Sequence, residues 1–390
     1  MAVVLQKNRF VSIGLRMLIN VEALNMVESV GNVVRHRVVP YVLRIRPGHY
    51  VLRWVPAISG EALAHAYQLH LAEVAKSRGL PVCYWCSRGE FVKHFDLLFW
   101  LRTMDALPYS DEEKRIAQSY ASKQQFSLSD IQDIERAIVS SCVVEDVCGF
   151  LVQQGPTKRT SRFYASFALP TEESVKSGAV ALDNQFFVRH APEAEAKRAT
   201  MSEVRAAAQA PYYVQIGSAI YGVTMNFEID GIGISSVTSE SIVSDDEAKK
   251  RKSAALDALK EMLDTKMFGA KLTRFNPVID YEIALAIAQR NVSLTVSPPT
   301  KRFEEFIEHS VVRIFRALKD VSDAKARVFL WAPTSDIARE VEKILNDVES
   351  KLGEEYKKMI ESGRLGIELL VSPSIRDFID RIKHSLGLSR

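Results

Sequence analysis

VSIGLRML (Val11–Leu18) runs directly into NVEALNMVESVGNVVRHR (Asn20–Arg37). In the first segment Val11, Ile13, Leu15 and Met17 alternate with Ser12, Gly14 and Arg16. That period of two predicts a core strand with Arg16 on the face opposite Leu15 and Met17. The second segment reads as a long polar loop without a tight turn. It carries Asn20, Asn25, Ser29, Gly31 and Asn32 and ends in the cationic cluster Arg35-His36-Arg37. Loops of this length inside a domain are functional or disordered. Fixed positive charge beside amide and hydroxyl donors suits a phosphodiester backbone, though a solvated connection is the competing reading.

Working outward, Val38–Val55 reads as one or two extended segments around Pro47-Gly48. A helix then starts at Ser59, a good N-cap, with Glu61 in its positive first turn. Leu63, Tyr67, Leu71 and Ala75 share its apolar face, and Gly79-Leu80-Pro81 stops it. Further on, Tyr212–Ile229 reads as a long strand or hairpin, Asp245–Asp264 as an amphipathic helix and Val278–Ala288 as a strand. This is the βαββαβ order of a ferredoxin-like, RRM-like core, an α+β fold. The core is expected over residues 1–81 and 150–290, and a largely helical insertion over 82–149. Ala/Glu-rich residues 170–210 read as a flexible insertion containing strand-like Gln185–Arg189, and residues 291–390 as a C-terminal α/β extension with no evident chemistry.

At 390 residues the chain suffices for two or three domains, and 47% hydrophobic with 25% charged residues is ordinary for a globular protein. A net charge of +3 identifies no nucleic-acid binder. Its distribution says more. Residues 1–60 carry Lys7, Arg9, Arg16, Arg35, Arg37, Arg44, Arg46 and Arg53 against Glu22 and Glu28. No apolar run is long enough to cross a bilayer, and MAVVLQKNRF is too short in apolar residues for a secretory signal. A cytoplasmic protein with reduced thiols is expected. Cys83-Tyr-Trp-Cys86 has zinc or redox spacing, and Cys142 with Cys148 could complete four ligands. The second pair is not CxxC, however, and Cys142 lies in an apolar run, so ordinary packing is favoured over metal. No cofactor is expected.

Three cationic segments fall at joints of the proposed core: Arg35–Arg37, Lys158–Arg162, and Lys266–Arg274 with Lys271. No acidic residue occurs from Thr265 to Ile279. Together they favour a backbone grip over isolated solvated loops. Without an RNP1-type aromatic motif, recognition would be largely sequence-independent. Catalytic signals are weak. There is no HExxH, GxSxG or Walker loop. His36 and His65 are the acid–base candidates; His36 reads as a phosphate contact and His65 as a partly buried, hydrogen-bonded side chain.

These residues resemble the Cas-seven group of RAMP-type proteins, the repeated backbone subunit of archaeal type I-A CRISPR (Cascade) complexes. The resemblance is carried by RFVSIGLRMLINVEALNMVESVGN (Arg9–Asn32), VVRHRVVPYVL (Val33–Leu43), WVPAISGEALAHAYQ (Trp54–Gln68), KRTSR (Lys158–Arg162), QFFVR (Gln185–Arg189) and the strands near Tyr212–Ile229. It extends from about residue 9 to 290 and is unspecific beyond. It implies a non-catalytic subunit whose copies stack along one guide RNA (crRNA), presenting its bases to target DNA beside other Cascade subunits. Contacts between copies would be heterologous and non-closing. Carried over by position, the Asn20–Arg37 and Lys158–Arg162 loops would touch RNA, while Ser59, Gly60 and Glu61 shape the helix start nearby. The expected groove is thus Arg16, Asn20, Asn25, Ser29, Asn32, Arg35, His36 and Arg37 on one wall. Lys158, Arg159, Ser161 and Arg162 supply others with Lys271 and Arg274. Phe187, where relatives can carry histidine, and Gln153-Gln154 before Gly155 depart from the family pattern. A RAMP-type metal-independent endoribonuclease using His36 or His65, or a nucleic-acid-binding regulator that does not polymerise, are the rival readings.

Overall fold

Two hairpins follow the first strand in the computed structural model, which describes residues 9–94, 96–153, 157–190 and 209–389. Strand β1 (Arg9–Glu22) is followed by β2 (Met26–Val30) and β3 (Val33–His36), paired antiparallel across Gly31-Asn32. The expected polar loop is therefore corrected to a β-ribbon. Gly31 takes φ +59°, and a two-residue Gly-Asn connection is itself a hairpin device. The second ribbon pairs β4 (Val38–Arg46) with β5 (His49–Pro56) around Pro47-Gly48, as the sequence predicts.

Helix α1 (Gly60–Ser77) starts at Ser59, whose hydroxyl accepts from the Ala62 amide, and buries Leu63, Tyr67, Leu71 and Ala75. Beyond it come five short helices: α2 (Tyr84–Ser87), α3 (Leu97–Thr103), α4 (Asp111–Tyr120), α5 (Leu128–Ser141) and α6 (Val143–Cys148). Short strands β6 (Phe150–Leu151), β7 (Lys158–Arg159), β8 (Phe163–Ala165) and β9 (Leu169–Pro170) lead to α7 (Glu172–Ser177). Strand β10 (Ala181–His190) then pairs along its whole length with the 20-residue β11 (Gln209–Glu228). Of the segment expected to be a flexible insertion, residues 191–208 lie outside the described residues, as do Gln154–Pro156.

Helix α8 (Asp245–Thr265) and strand β12 (Val278–Arg290) complete this part of the chain. The main sheet runs β14 (Leu365–Val371), β13 (Lys325–Ala332), β12, β1, β11, β3, β2, with β8, β9 and β10 also on β11. Its pairs are antiparallel except β11–β3 and β13–β14, which makes it a mixed sheet in an α+β fold. Helices α1 and α8 bury the Val11, Ile13, Leu15 and Met17 face in the larger core. C-terminal helices α9 (Phe303–Asp320) and α10 (Ser335–Glu361) cover the other face of β12 and β13, and α11 (Ile375–Ser385) packs with α8. The C-terminal hundred residues thus both lengthen the sheet and lay helices over its second face.

That extension decides what happens to β1's second face. A side chain on Gly14 would meet the Phe306 ring at 2.7 Å. Two residues on, Arg16 is 2% exposed, with its guanidinium 5.5 Å from the Phe303 ring centroid. Its Nε donates to Glu282, Nη2 to Glu173 and Nη1 to the Lys301 carbonyl. Arg16 is therefore not on an open wall. The face that an RNA-recognition sheet leaves free is occupied here by the protein's own C-terminal segment.

Candidate nucleic-acid interface

An open groove of about 1140 Å³ lies at the start of α1. It gathers six of the expected RNA contacts: Asn25, Arg37, Ser59, Gly60, Glu61 and Ser161. Asn25 is the joint between two of its walls. Its Oδ1 accepts from the Ser59 amide at 2.7 Å and from Arg37 Nε at 2.9 Å, and its carbonyl accepts from the Arg37 amide at 2.8 Å. The β2–β3 ribbon is thereby fixed to the first turn of α1. The terminal nitrogens of Arg37 have no partner among the described residues, so its charge remains available to the groove. Gly60 is required by packing: a Cβ there would overlap the carbonyl oxygen of Ala165.

The floor and rim come from elements far apart in sequence. The Met267–Leu272 segment between α8 and β12 lines one side, with Gly269 at φ +87° against Leu24. Lys271 is exposed between Ala270 and Leu272, both of which line the groove. Lys93, His65, His70 and Tyr164 also contribute, and Phe91 meets His65 edge-on at 5.2 Å. His65 is exposed, not partly buried as expected. Lys93 was not legible from sequence, because it enters from the inserted helical region without periodic or motif context. Burial pushes the Tyr164 phenol up and the Cys148 thiol up to about 12, so both groove groups are neutral at physiological pH.

Other expected contacts sit elsewhere. Arg159, 3% exposed, donates to Glu135, Asp146, the Gly231 and Ile234 carbonyls and Ser236. It is an internal tie and not a wall residue, because buried carboxylates already hold its guanidinium. His36 is 1% exposed. Its Nε2 lies 2.7 Å from Glu22 and its Nδ1 2.8 Å from the Arg37 carbonyl, inside the corner where Tyr221 also donates to Glu22. This placement corrects the expected phosphate contact: a ring enclosed behind the ribbon does not reach a bound strand. Arg162 pairs with Glu228 at 2.8 Å, and Arg35 with Glu28 at 3.2 Å. Asn20, Ser29, Asn32 and Lys158 are exposed outside the groove lining, and Arg274 donates to the Tyr212 hydroxyl. Phe187 packs against Tyr212 and Phe275, so this position serves packing.

The sequence matches the family described as "CRISPR-associated negative auto-regulator DevR/Csa2" over residues 13–311. It is also 32% identical over 301 residues to the Saccharolobus solfataricus "CRISPR-associated protein Cas7/Csa2 1", covering 77% of this chain and 85% of that protein. The chain belongs to the Cas7/Csa2 family. A second Saccharolobus solfataricus relative, "CRISPR-associated aCascade subunit Cas7/Csa2 2", is 30% identical over 312 residues, 79% of this chain and 87% of that one. Among solved structures, a chain of a "CRISPR RNA-guided surveillance complex, pre-nicking" superposes with a TM-score of 0.50 at 12% identity. That superposition covers 96% of this chain and 99% of the other and shows a shared fold. No helix among the described residues is long and apolar enough to cross a membrane.

Proposed function

We propose that this Cas7/Csa2 chain is a non-catalytic subunit that grips the backbone of a guide RNA in a type I-A Cascade complex. The groove at the start of α1 carries the reading: it joins the β2–β3 ribbon, the helix start, the Ser161 loop and the α8–β12 segment around one open channel. Arg37, Lys93 and Lys271 supply positive charge, while Asn25 and Ser161 supply polar side chains. Lys158 and Arg274 extend the cationic surface. None of these groups reads base edges in a fixed pattern, so the grip is directed at phosphate and sugar. A ferredoxin-like core fits the strand order β12–β1–β11–β8, the 4-1-3-2 arrangement of a βαββαβ unit. Self-assembly is supported by the β4–β5 ribbon, which exposes Val42, Ile45, Tyr50, Leu52 and Trp54. Such a ribbon fits a neighbouring copy in a non-closing stack, with target DNA reached through the guide's bases and other Cascade subunits at the ends.

The test is binding of single-stranded RNA by purified chain across a salt series. Alanine at Arg37, Lys158 and Lys271 together flattens the salt dependence by about 0.7 slope units for each phosphate no longer neutralised, equally for unrelated sequences. Unchanged slope, or binding that becomes sequence-selective, overturns the backbone grip. Electron micrographs of the protein with long RNA check assembly separately: isolated, unstacked particles would remove the filament while leaving the grip intact.

A further inference from the structure

Away from the open groove, three of the four cysteines converge with a carboxylate. Cys83, Cys86, Cys142 and Glu145 are all buried and offer ligand atoms within 4.8 Å of one another. Cys83 caps α2 and Cys86 lies in it; Cys142, extended at φ −150°, separates α5 from α6, and Glu145 lies one turn further on. The CxxC spacing brings two sulfurs to one point, and the break at Cys142 turns a third toward them. Cys148, the fourth thiol expected from sequence, is not in this group.

We propose that Cys83, Cys86, Cys142 and Glu145 bind one zinc ion as a structural site. Zinc–sulfur bonds of about 2.3 Å in a tetrahedron place donors roughly 3.8 Å apart, within the observed spread. Cys83 Sγ already lies 3.3 Å from Glu145 Oε1. Plain thiol packing leaves a difficulty that a metal removes. Glu145 is 0% exposed, and its Oε2 is buried with no partner among the described residues. A carboxylate oxygen enclosed without a donor is costly, and sulfhydryls are weak donors. The outer layer also suits a ligand: His94 Nδ1 lies 2.7 Å from Glu145 Oε1, and His94 Nε2 lies 2.8 Å from Glu113. Ligating carboxylates are held in this way by a second hydrogen-bonded layer. Mixed sulfur and oxygen donors in a small closed pocket favour zinc over magnesium or calcium, which take all-oxygen sets.

The site would clamp the α1–α2 connection to α6. Helix α6 also carries the Val147 carbonyl, which accepts from the Arg162 amide at 2.7 Å and faces the Ser161 hydroxyl. Zinc would thus steady the segment that presents Ser161 to the groove.

The experiment uses the full chain purified under reducing conditions without chelator. Elemental analysis is expected to return about one zinc per chain, retained in Cys148→Ser and lost in Cys142→Ser or Cys83→Ser/Cys86→Ser. Because those variants could fail to fold, metal-stripped wild-type chain is also titrated with cobalt. Thiolate-to-cobalt charge transfer and intense tetrahedral visible bands are expected, and both vanish when zinc is added. Negligible zinc in the purified chain with no cobalt–thiolate band overturns the site. So does a metal-free intact mass two hydrogens light, which would show a disulfide in place of a ligand set. Loss of zinc in Cys148→Ser equal to that in Cys142→Ser would also overturn this ligand assignment.

Discussion

Two arginines, each from a short basic run in the sequence, come to opposite ends. In Lys158–Arg162, Arg159 turns inward and its guanidinium is enclosed by Glu135, Asp146 and backbone carbonyls. In Arg35–Arg37, Arg37 gives only Nε to Asn25 and faces the groove. Both segments look alike as strings of charge. The difference lies in carboxylates contributed from distant elements. Asp146 also receives Arg251 at 2.9 Å, so α6 sits at the centre of a buried ion network. A cationic tripeptide in a sequence therefore does not say whether its charge is open to a ligand or closed by the fold.

The strongest way to break this contrast is Arg159→Ala. Removing one partner of a buried ion network leaves carboxylates uncompensated and costs about 3–5 kcal/mol. Urea unfolding monitored by tryptophan fluorescence reads this loss, while neighbouring Lys158→Ala stays within about 0.5 kcal/mol of the parent. A stable Arg159→Ala chain with weakened RNA affinity alone would reverse the assignment of the two regions.

A second enclosed cluster tests the same point through pH. Burial raises the Asp257 pKa, but hydrogen bonds from Lys383, Arg78 and Lys260 outweigh it and hold the carboxyl at about 2. A depressed carboxyl contributes stability that is present above its unfolded pKa of about 4 and lost as pH falls toward 2, on the order of 2 kcal/mol in total. The acid-side decline in melting temperature between about pH 5 and 2 should be shallower in Asp257→Asn. Parallel declines in parent and variant would show that this cluster contributes no pH-linked stability.

Much of the fold was legible because it rests on periodicity. Alternation in Val11–Met17, the Ser59 cap and the α8 stripe each correspond to a buried face. The β2–β3 ribbon was hidden by its polar content, although Gly31-Asn32 is a two-residue hairpin signal. Arg16 was misplaced for a tertiary reason. Nothing in its own strand reveals that Phe303 and Phe306, nearly three hundred residues later, cover that face. The groove was half legible: Asn25, Arg37, Ser59–Glu61 and the Lys266–Arg274 segment that supplies its floor fall in distinctive stretches, whereas Lys93 is brought to it only by folding. His36 carried a basic context in sequence, but its surroundings are set by Glu22 and Tyr221 from neighbouring strands.

Asn25 sharpens the contrast from the groove side. Alanine there leaves the buried Ser59 amide without its acceptor and releases Arg37, at a cost on the order of 1 kcal/mol. Aspartate keeps both acceptor roles and should restore stability, read by thermal melting, while the added negative charge should still weaken RNA binding. If Asn25→Asp is as unstable as Asn25→Ala, the side-chain oxygen is not what ties the ribbon to the helix.

The smallest effect is expected at His65, which separates holding RNA from cutting it. Its ring is exposed at the groove and touches Phe91 only by its edge, so His65→Ala should change stability by less than about 0.5 kcal/mol. A general base must reach the proton it removes, and His36, the other candidate, is enclosed beside Glu22. Of the two acid–base candidates picked from the sequence, His65 is therefore the one placed to act on a strand in the groove. Parent and His65→Ala chains incubated with labelled repeat RNA in chelator should both leave it intact, with similar affinity. Cleavage by the parent that disappears in His65→Ala would turn the groove from a grip into an active site, and Arg37 into a neighbour of the scissile phosphate.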